Sequence, residues 1–395
     1  MDFSLNEEQR AWQTKARNFA AAEIRPISLE RDQIADPAGT FDWDVIKKGS
    51  RLGFRTAVVP KEYGGHGIDF VTQTIVMAEL SRGDCAIAKT FSQCWKWSNL
   101  LAHICTDEQK ERFLKPFIAD DTYLLGRGIT EPTAGSDNRL PPPDDPKAGL
   151  KLHAERQGDE WVLNGEKTFI ANGNIGKLFL VDARTNRDVS VREGVTMFLV
   201  PHDTPGFRAG RVFNKSGWRF YQNTELVFDN VRVPHANIVG EVNGGDRKVN
   251  SVGDPFSDLE YSAIALGVCD AACNEALAFV KNRSQCGRPL TDQQLVLLNI
   301  NRMHTLTEAL RSFLLRVAWG YDNGIRSANG GLVMNFAVDV VQQVAEVNLE
   351  IHAAGGGGMD SQAEKLVRDS FIWTHIAGDA VQRMKVAHQL MSLVD

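Results

Sequence analysis

Gly128–Asp137 reads GITEPTAGSD, and the assignment of the fold turns on it. Pro132 lacks an amide donor, and the small Ala134 and Gly135 allow a bulky ligand to approach the backbone closely. Taken alone, the stretch is a Pro/Gly loop closing a strand. Its other reading is a ligand-contacting loop with Thr130 and Ser136 as hydroxyl groups.

Downstream, short apolar strings recur at 177–181, 195–200 and 224–228, separated by Gly, Pro, Asn and Asp. This is the pattern of an antiparallel sheet. Trp161–Leu163 runs into Asn164–Gly165, which predicts a hairpin turn there. The prolines of PPPDDPKAG at 141–149 predict an exposed excursion. Upstream, residues 5–25 carry apolar positions with a helical period that Pro26 is expected to stop. Residues 41–54, 68–83 and 84–120 have similar periods, and PKEYGGHG at 60–67 punctuates them as a tight loop. Long helices return at 256–285, 292–321, 330–354 and 361–390, with AAGGGG at 353–358 breaking the last two apart. The expected order is helices, sheet, helices, with domains at 1–120, 121–240 and 241–395.

At 395 residues the chain exceeds the usual span of one core, so several packed layers are expected. Its 44 basic and 50 acidic residues give a formal charge of −6, which excludes a general attraction to nucleic acid or anionic membrane. Six cysteines show no CxxC spacing and read as small buried thiols, with no metal site expected. No charged-then-apolar leader pattern and no uncharged 18-residue span is present, so a cytoplasmic protein without a membrane span is expected.

The chain resembles the acyl-CoA dehydrogenases, and the resemblance runs almost end to end. It is carried by LNEEQR (5–10), VPKEYGGHG (59–67), DEQKERFLKP (107–116), ITEPTAGSD (129–137), LNGEKTFIANG (163–173), VFDNVRVPHANIVGE (227–241), RSQCGRPL (283–290) and EKLVRD (364–369). The resemblance implies an α+β multidomain fold: an N-terminal helical domain, a central antiparallel β domain and a C-terminal four-helix bundle. It also implies FAD as cofactor, an acyl-CoA substrate oxidised between Cα and Cβ, and an electron-transfer flavoprotein or another acceptor. A homotetramer is implied, with a heterotetramer containing a catalytically silent subunit, or a non-standard flavin oxidoreductase, as alternatives.

The same resemblance assigns site residues. Thr130 stands beside the flavin ring, Ser136 near a cofactor phosphate or the CoA, and Phe169 over a flavin face. Arg283 reaches an FAD pyrophosphate across a subunit boundary, where a guanidinium fork suits two phosphate oxygens. Gln294, Gly356 and Gly357 are further cofactor contacts. Ala171 takes the place of a threonine whose hydroxyl bonds near flavin N5. Ala377 stands where the family carries its catalytic glutamate, which leaves three explanations: a base from elsewhere, at Asp258 or Glu260 near the start of the 256–285 helix, a changed flavin reaction, or an active-site substitution made in this chain. His375 and Asp379 flank Ala377 but fall on other helix faces; Asp379 is expected to cap. Ser92 and Trp95 are expected to border the acyl pocket together with Cys94 and Trp97, whose clustering core packing explains equally well, while Asp84 supports the fold.

Overall fold

The structure is a computed structural model and describes residues 4–136, 145–245, 256–325, 329–376 and 379–391. The excursion expected at 141–149 therefore falls partly outside the described residues.

The N-terminal part is helical: Glu7–Phe19, Arg25–Asp32, Trp43–Arg51, Phe70–Ser81 and Cys85–Ile104. Pro26 does not stop the first helical stretch as the sequence predicts. A π turn, Ala20–Ile24, precedes it, and the Arg25 amide bonds back to the Ala20 carbonyl. The widened turn shifts the ladder by one residue, so the missing donor of Pro26 falls at the start of a new helix. Pro116 repeats the device: it follows the π turn Lys110–Leu114 in the helix Lys115–Ala119. The predicted 84–120 helix is split at Cys105, and a capping box between Thr106 and Gln109 starts the second piece.

The middle of the chain forms one eight-stranded sheet: β1 (Leu125–Gly128), β2 (His153–Gln157), β3 (Glu160–Ala171), β4 (Leu178–Arg184), β5 (Val195–Pro201), β6 (Phe207–Val212), β7 (Asn223–Pro234) and β8 (Ile238–Val239). The strands run β6-β7-β3-β2-β4-β5-β8, with β1 beside β4. The sheet is mixed, not purely antiparallel: β4 pairs in parallel with both β1 and β2. The Asn164–Gly165 turn is also corrected. β3 runs through it, and the hairpin turns instead between Gln157 and Glu160. Asn164 lies at a register shift against β7, where its side-chain oxygen accepts the Asn230 amide at 2.8 Å.

β4 is buried on both faces. Leu178 and Leu180 join the helical core, while Phe179 and Val181 join the smaller core inside the sheet domain with Trp161, Phe198 and Phe228. The sheet is thereby welded to the helices along β4.

Three long helices, Phe256–Asn282, Gln294–Asp322 and Asn329–Gly356, and a broken fourth (Gln362–Phe371, Trp373–Ile376, Ala380–Met391) complete the chain. Gly267 lets the first of these touch Phe70–Ser81, since a Cβ there would lie 2.3 Å from the Ala78 carbonyl oxygen, and Ser81 bonds the Ile264 carbonyl at 2.7 Å. The two helical parts thus share one core. Leu259–Asn282 is long and apolar enough to cross a membrane, but it is largely buried among the other helices and is a core helix. Five cysteines are buried; Cys286 is exposed, against expectation, because it sits at the tip of the two-stranded hairpin Ser284–Gln285 and Arg288–Pro289.

Candidate active site

β1 runs into the 129–136 loop, and two buried charges hold that loop down. Lys167 Nζ donates to Glu131 at 2.8 Å and to the Ile129 carbonyl at 3.1 Å. Glu131 also accepts the amides of Lys151 and Leu152. Burial pulls Lys167 below the ordinary lysine value, and the charge of Glu131 offsets only part of this. The Thr168 amide donates to the Thr130 carbonyl at 2.8 Å, which ties Thr130 to the residue before Phe169. Thr130 is half-buried and Ser136 exposed, and a Cβ on Gly135 would meet nothing within 4 Å.

Phe169 lies in the second register shift of β3, between Lys167 and Ile170, with φ 55. Positive φ is unusual for a bulky residue and clusters at functional sites. The bulge turns the ring outward, where it is 55% exposed. Asn223 Nδ2 holds the Phe169 carbonyl at 2.9 Å, and the ring stacks on Phe213 with centroids 4.0 Å apart. Ala171 ends the strand with a methyl group, and Asn172 ties that end to the Leu125 carbonyl at 3.0 Å. Together these residues make a flat apolar ledge with a hydroxyl residue at its edge.

A chain of contacts leads inward from the ledge. Asn223 Oδ1 accepts from Lys215 Nζ at 2.5 Å, and Lys215 also donates to the Tyr221 carbonyl. The Tyr221 hydroxyl donates to Gln93 at 2.9 Å. Lys89 lies 5.8 Å from the Tyr221 ring centroid and 4.9 Å from that of Tyr261. It donates at 2.6 Å to Glu260, which also accepts from the Ser92 hydroxyl. Glu260 and Ser92, expected for separate reasons, thus meet in one buried group. Burial opposes the charge of Lys89, but Glu260 outweighs it and raises the ammonium's pKa above the ordinary value. Sequence reasoning missed Lys89; its signal was a lone lysine inside the apolar run CAIAKTFSQCW.

The other expected residues divide clearly. Trp95 is buried with its indole N–H on the Phe54 carbonyl at 2.6 Å, so it packs the helical core and does not join this group. Asp84 caps the helix Cys85–Ile104 and pairs with Lys365, as expected of a structural residue. Asp379 caps the last helix through the Gln382 amide at 2.8 Å, and His375 is exposed. Arg283 and Gln294 are exposed at the hairpin and the following helix start, and among the described residues no hydrogen bond or ion pair joins them to Thr130 or Phe169. Gly356 is buried against His352, Gly357 is exposed, and Ala353 nearby has φ 51. The side chain of Asp258, and Ala377 altogether, lie outside the described residues.

An exposed aromatic ledge, a pinned hydroxyl loop and ligand-accessible glycine backbone fit a planar redox ring better than a metal. Among the described residues no three His, Cys, Asp or Glu side chains are grouped to hold one. The fold and ledge define a flavin-dependent oxidoreductase.

Residues 6–121, 126–231 and 259–391 match the N-terminal, middle and C-terminal domains of acyl-CoA dehydrogenase. The chain is 31% identical to a 3-(aryl)acrylate reductase of Clostridium sporogenes, covering 98% of this chain and 99% of that protein. It superposes on butyryl-CoA dehydrogenase of Megasphaera elsdenii with a TM-score of 0.90 at 29% identity, covering 99% and 100%. The prolyl acyl carrier protein oxidase AnaB is similar at a TM-score of 0.85 and 25% identity, covering 98% and 100%. The chain belongs to the acyl-CoA dehydrogenase family, and FAD is its cofactor.

Proposed function

We propose that this protein oxidises an acyl-CoA to the enoyl-CoA and passes the electrons to an electron-transfer flavoprotein or another acceptor. The observation that carries this reading is the Thr130–Phe169 ledge, whose strained aromatic is turned out of the sheet and held there. FAD, when bound, supplies the acceptor for the β hydrogen. Phe169 covers one face of the ring, Thr130 bonds its polar edge, and Ser136 reaches the phosphate or CoA side. Ala171 offers no hydroxyl, so ring tuning near N5 falls to main-chain groups.

Removing the Cα proton requires a positioned base. Residue 377 provides none, which leaves Asp258 and Glu260. Giving a proton to Glu260 would leave the Lys89 ammonium buried without its counter-charge, which costs several kcal/mol. Glu260 is built as an ion-pair partner, so Asp258 is the base this reading favours. Solvent exchange of the substrate α proton tests it: Asp258→Asn should abolish exchange and Glu260→Gln should not. Unchanged exchange in both variants would remove base relocation.

The family assembly follows from the same reading. Arg283 would hold the pyrophosphate of a neighbouring subunit's FAD, with Gln294 alongside and Gly356–Gly357 backbone near the cofactor. Leu295, Leu297 and Leu298, which are 66%, 49% and 67% exposed on the helix that Gln294 begins, favour burial in a homotetramer. We place that tetramer in the cytoplasm. A catalytically silent subunit is the competing reading, favoured by Ala171 and Ala377 together. Restoring Ala377→Glu separates them: a large gain in dehydrogenation means the rest of the pocket is competent.

A further inference from the structure

Lys89 and Glu260 face each other across the helices Cys85–Ile104 and Phe256–Asn282, with side chains 3% and 2% exposed. Both hydrogen bonds to Glu260 converge on Oε1, from Lys89 and Ser92; among the described residues Oε2 receives none. Lys89 has three N–H donors, and among the described residues its ammonium donates only to Glu260. Tyr221 and Tyr261 wall the pair with aromatic rings.

A buried ion pair is favourable only when its remaining donors and acceptors are also satisfied. The same helix carries a more fully bonded group for comparison. At its cap, Lys365 donates to Asp84 at 2.9 Å and to Asp369 at 2.6 Å. Asp84 also accepts Ser28 and the amides of Ala86 and Ile87, and Asp369 accepts the Trp218 amide. Among the described residues the Lys89 pair has only Ser92 as a further hydrogen-bond donor, and nothing on Oε2.

We infer that the open positions of Lys89 and Glu260 recognise a polar substituent on the acyl group of the substrate. This rests on the thioester reading above, which puts Ser92 beside the acyl pocket; the contacts through Tyr221, Lys215 and Asn223 run from this pair to Phe169. The pair is neutral overall, and that selects the chemistry. A carboxylate on the substrate would repel Glu260 and an ammonium would repel Lys89, and either would add an uncompensated buried charge. A neutral group with at least one donor and one acceptor, such as a hydroxyl or carboxamide, donates to Oε2 and accepts from Lys89 without changing the net charge.

The test uses FAD-loaded protein and β-thia acyl-CoA analogues that bind without being oxidised, followed by perturbation of flavin absorbance. Matched chains end in methyl, hydroxyl, carboxamide, carboxylate or amine, over several lengths. At the best length, hydroxyl or carboxamide should bind at least ~10-fold more tightly than methyl, carboxylate or amine, since a site built to bond a polar group rejects the analogue that lacks it. The double variant Lys89→Met/Glu260→Met, which replaces both charges with apolar chains, should lose that preference and gain affinity for the methyl series. FAD content and melting behaviour confirm that it folds. Equal binding of methyl and hydroxyl chains, or a preference for a charged end, overturns the recognition role while leaving the thioester reading intact. Failure of every analogue to perturb bound FAD counts against both.

Discussion

Two buried lysines meet the helix Cys85–Ile104 within two turns of its start, and they are treated differently. Lys365 reaches the cap through Asp84 and is shared with Asp369, and both carboxylates take further hydrogen bonds from hydroxyl or amide groups. Burial opposes its charge, yet the two carboxylates raise its pKa well above the ordinary value. The same group holds Asp84 below the usual carboxylate range despite burial, whereas burial, aided by the charge of Asp84, keeps Asp369 above it. Lys89 has one carboxylate and aromatic walls. The first group closes the helix Gln362–Phe371 onto the N-terminal helices and is the more fully bonded. The second joins the helix Cys85–Ile104 to the C-terminal helix Phe256–Asn282 with fewer hydrogen bonds.

The largest expected effect breaks this comparison at its more fully bonded end. Lys365→Met leaves Asp84 and Asp369 buried without their cation and should cost about 3–5 kcal/mol in urea unfolding. The double replacement Lys89→Met/Glu260→Met removes both charges together and should stay within about 1 kcal/mol of the parent. If the double variant proves the more damaging, the two groups have been assigned the wrong way round.

A smaller effect belongs to Phe169, which lies outside both cores. Phe169→Ala should weaken FAD binding about tenfold, or ~1.4 kcal/mol, with unchanged unfolding. Isothermal titration of the apoprotein with FAD measures it, and undiminished affinity would remove Phe169 from the cofactor site.

A further effect is a pH slope from Lys215, a lysine with no carboxylate hydrogen-bond partner among the described residues. Burial pulls it down to about 7. Between about pH 7 and the ordinary lysine value of 10.5, the unfolded chain holds a proton that the folded chain lacks, so folding stability rises with pH across that window. Lys365 and Lys89 have raised values, so their contributions are present below 10.5 and are lost as pH climbs through the folded values. Denaturation midpoints from pH 6.5 to 9.5 should therefore show a rising component that flattens in Lys215→Met; an identical slope in the variant would contradict it.

Much of this molecule is legible in its residues. The helices–sheet–helices order follows from apolar period, and the ledge is implied by the family resemblance that GITEPTAGSD and LNGEKTFIANG carry. The misses are tertiary. Asn164–Gly165 has the chemistry of a turn, but Asn230 across the sheet uses the Asn164 side chain to make a bulge. Pro26 and Pro116 would break a regular helix, and only the π turns before them, invisible to a 3.6-residue period, let the chain continue. Lys89 was hidden because its partner lies 171 residues away on another helix, and no local pattern encodes such a pair.

The central claim is tested most directly by adding acyl-CoA to the purified FAD-loaded protein without oxygen and following the yellow absorbance. Acyl-CoA should bleach stoichiometric flavin, with a polar-ended chain bleaching it fastest. A fully flavinylated preparation that no acyl-CoA of any length or end group bleaches would contradict dehydrogenation and leave a silent subunit.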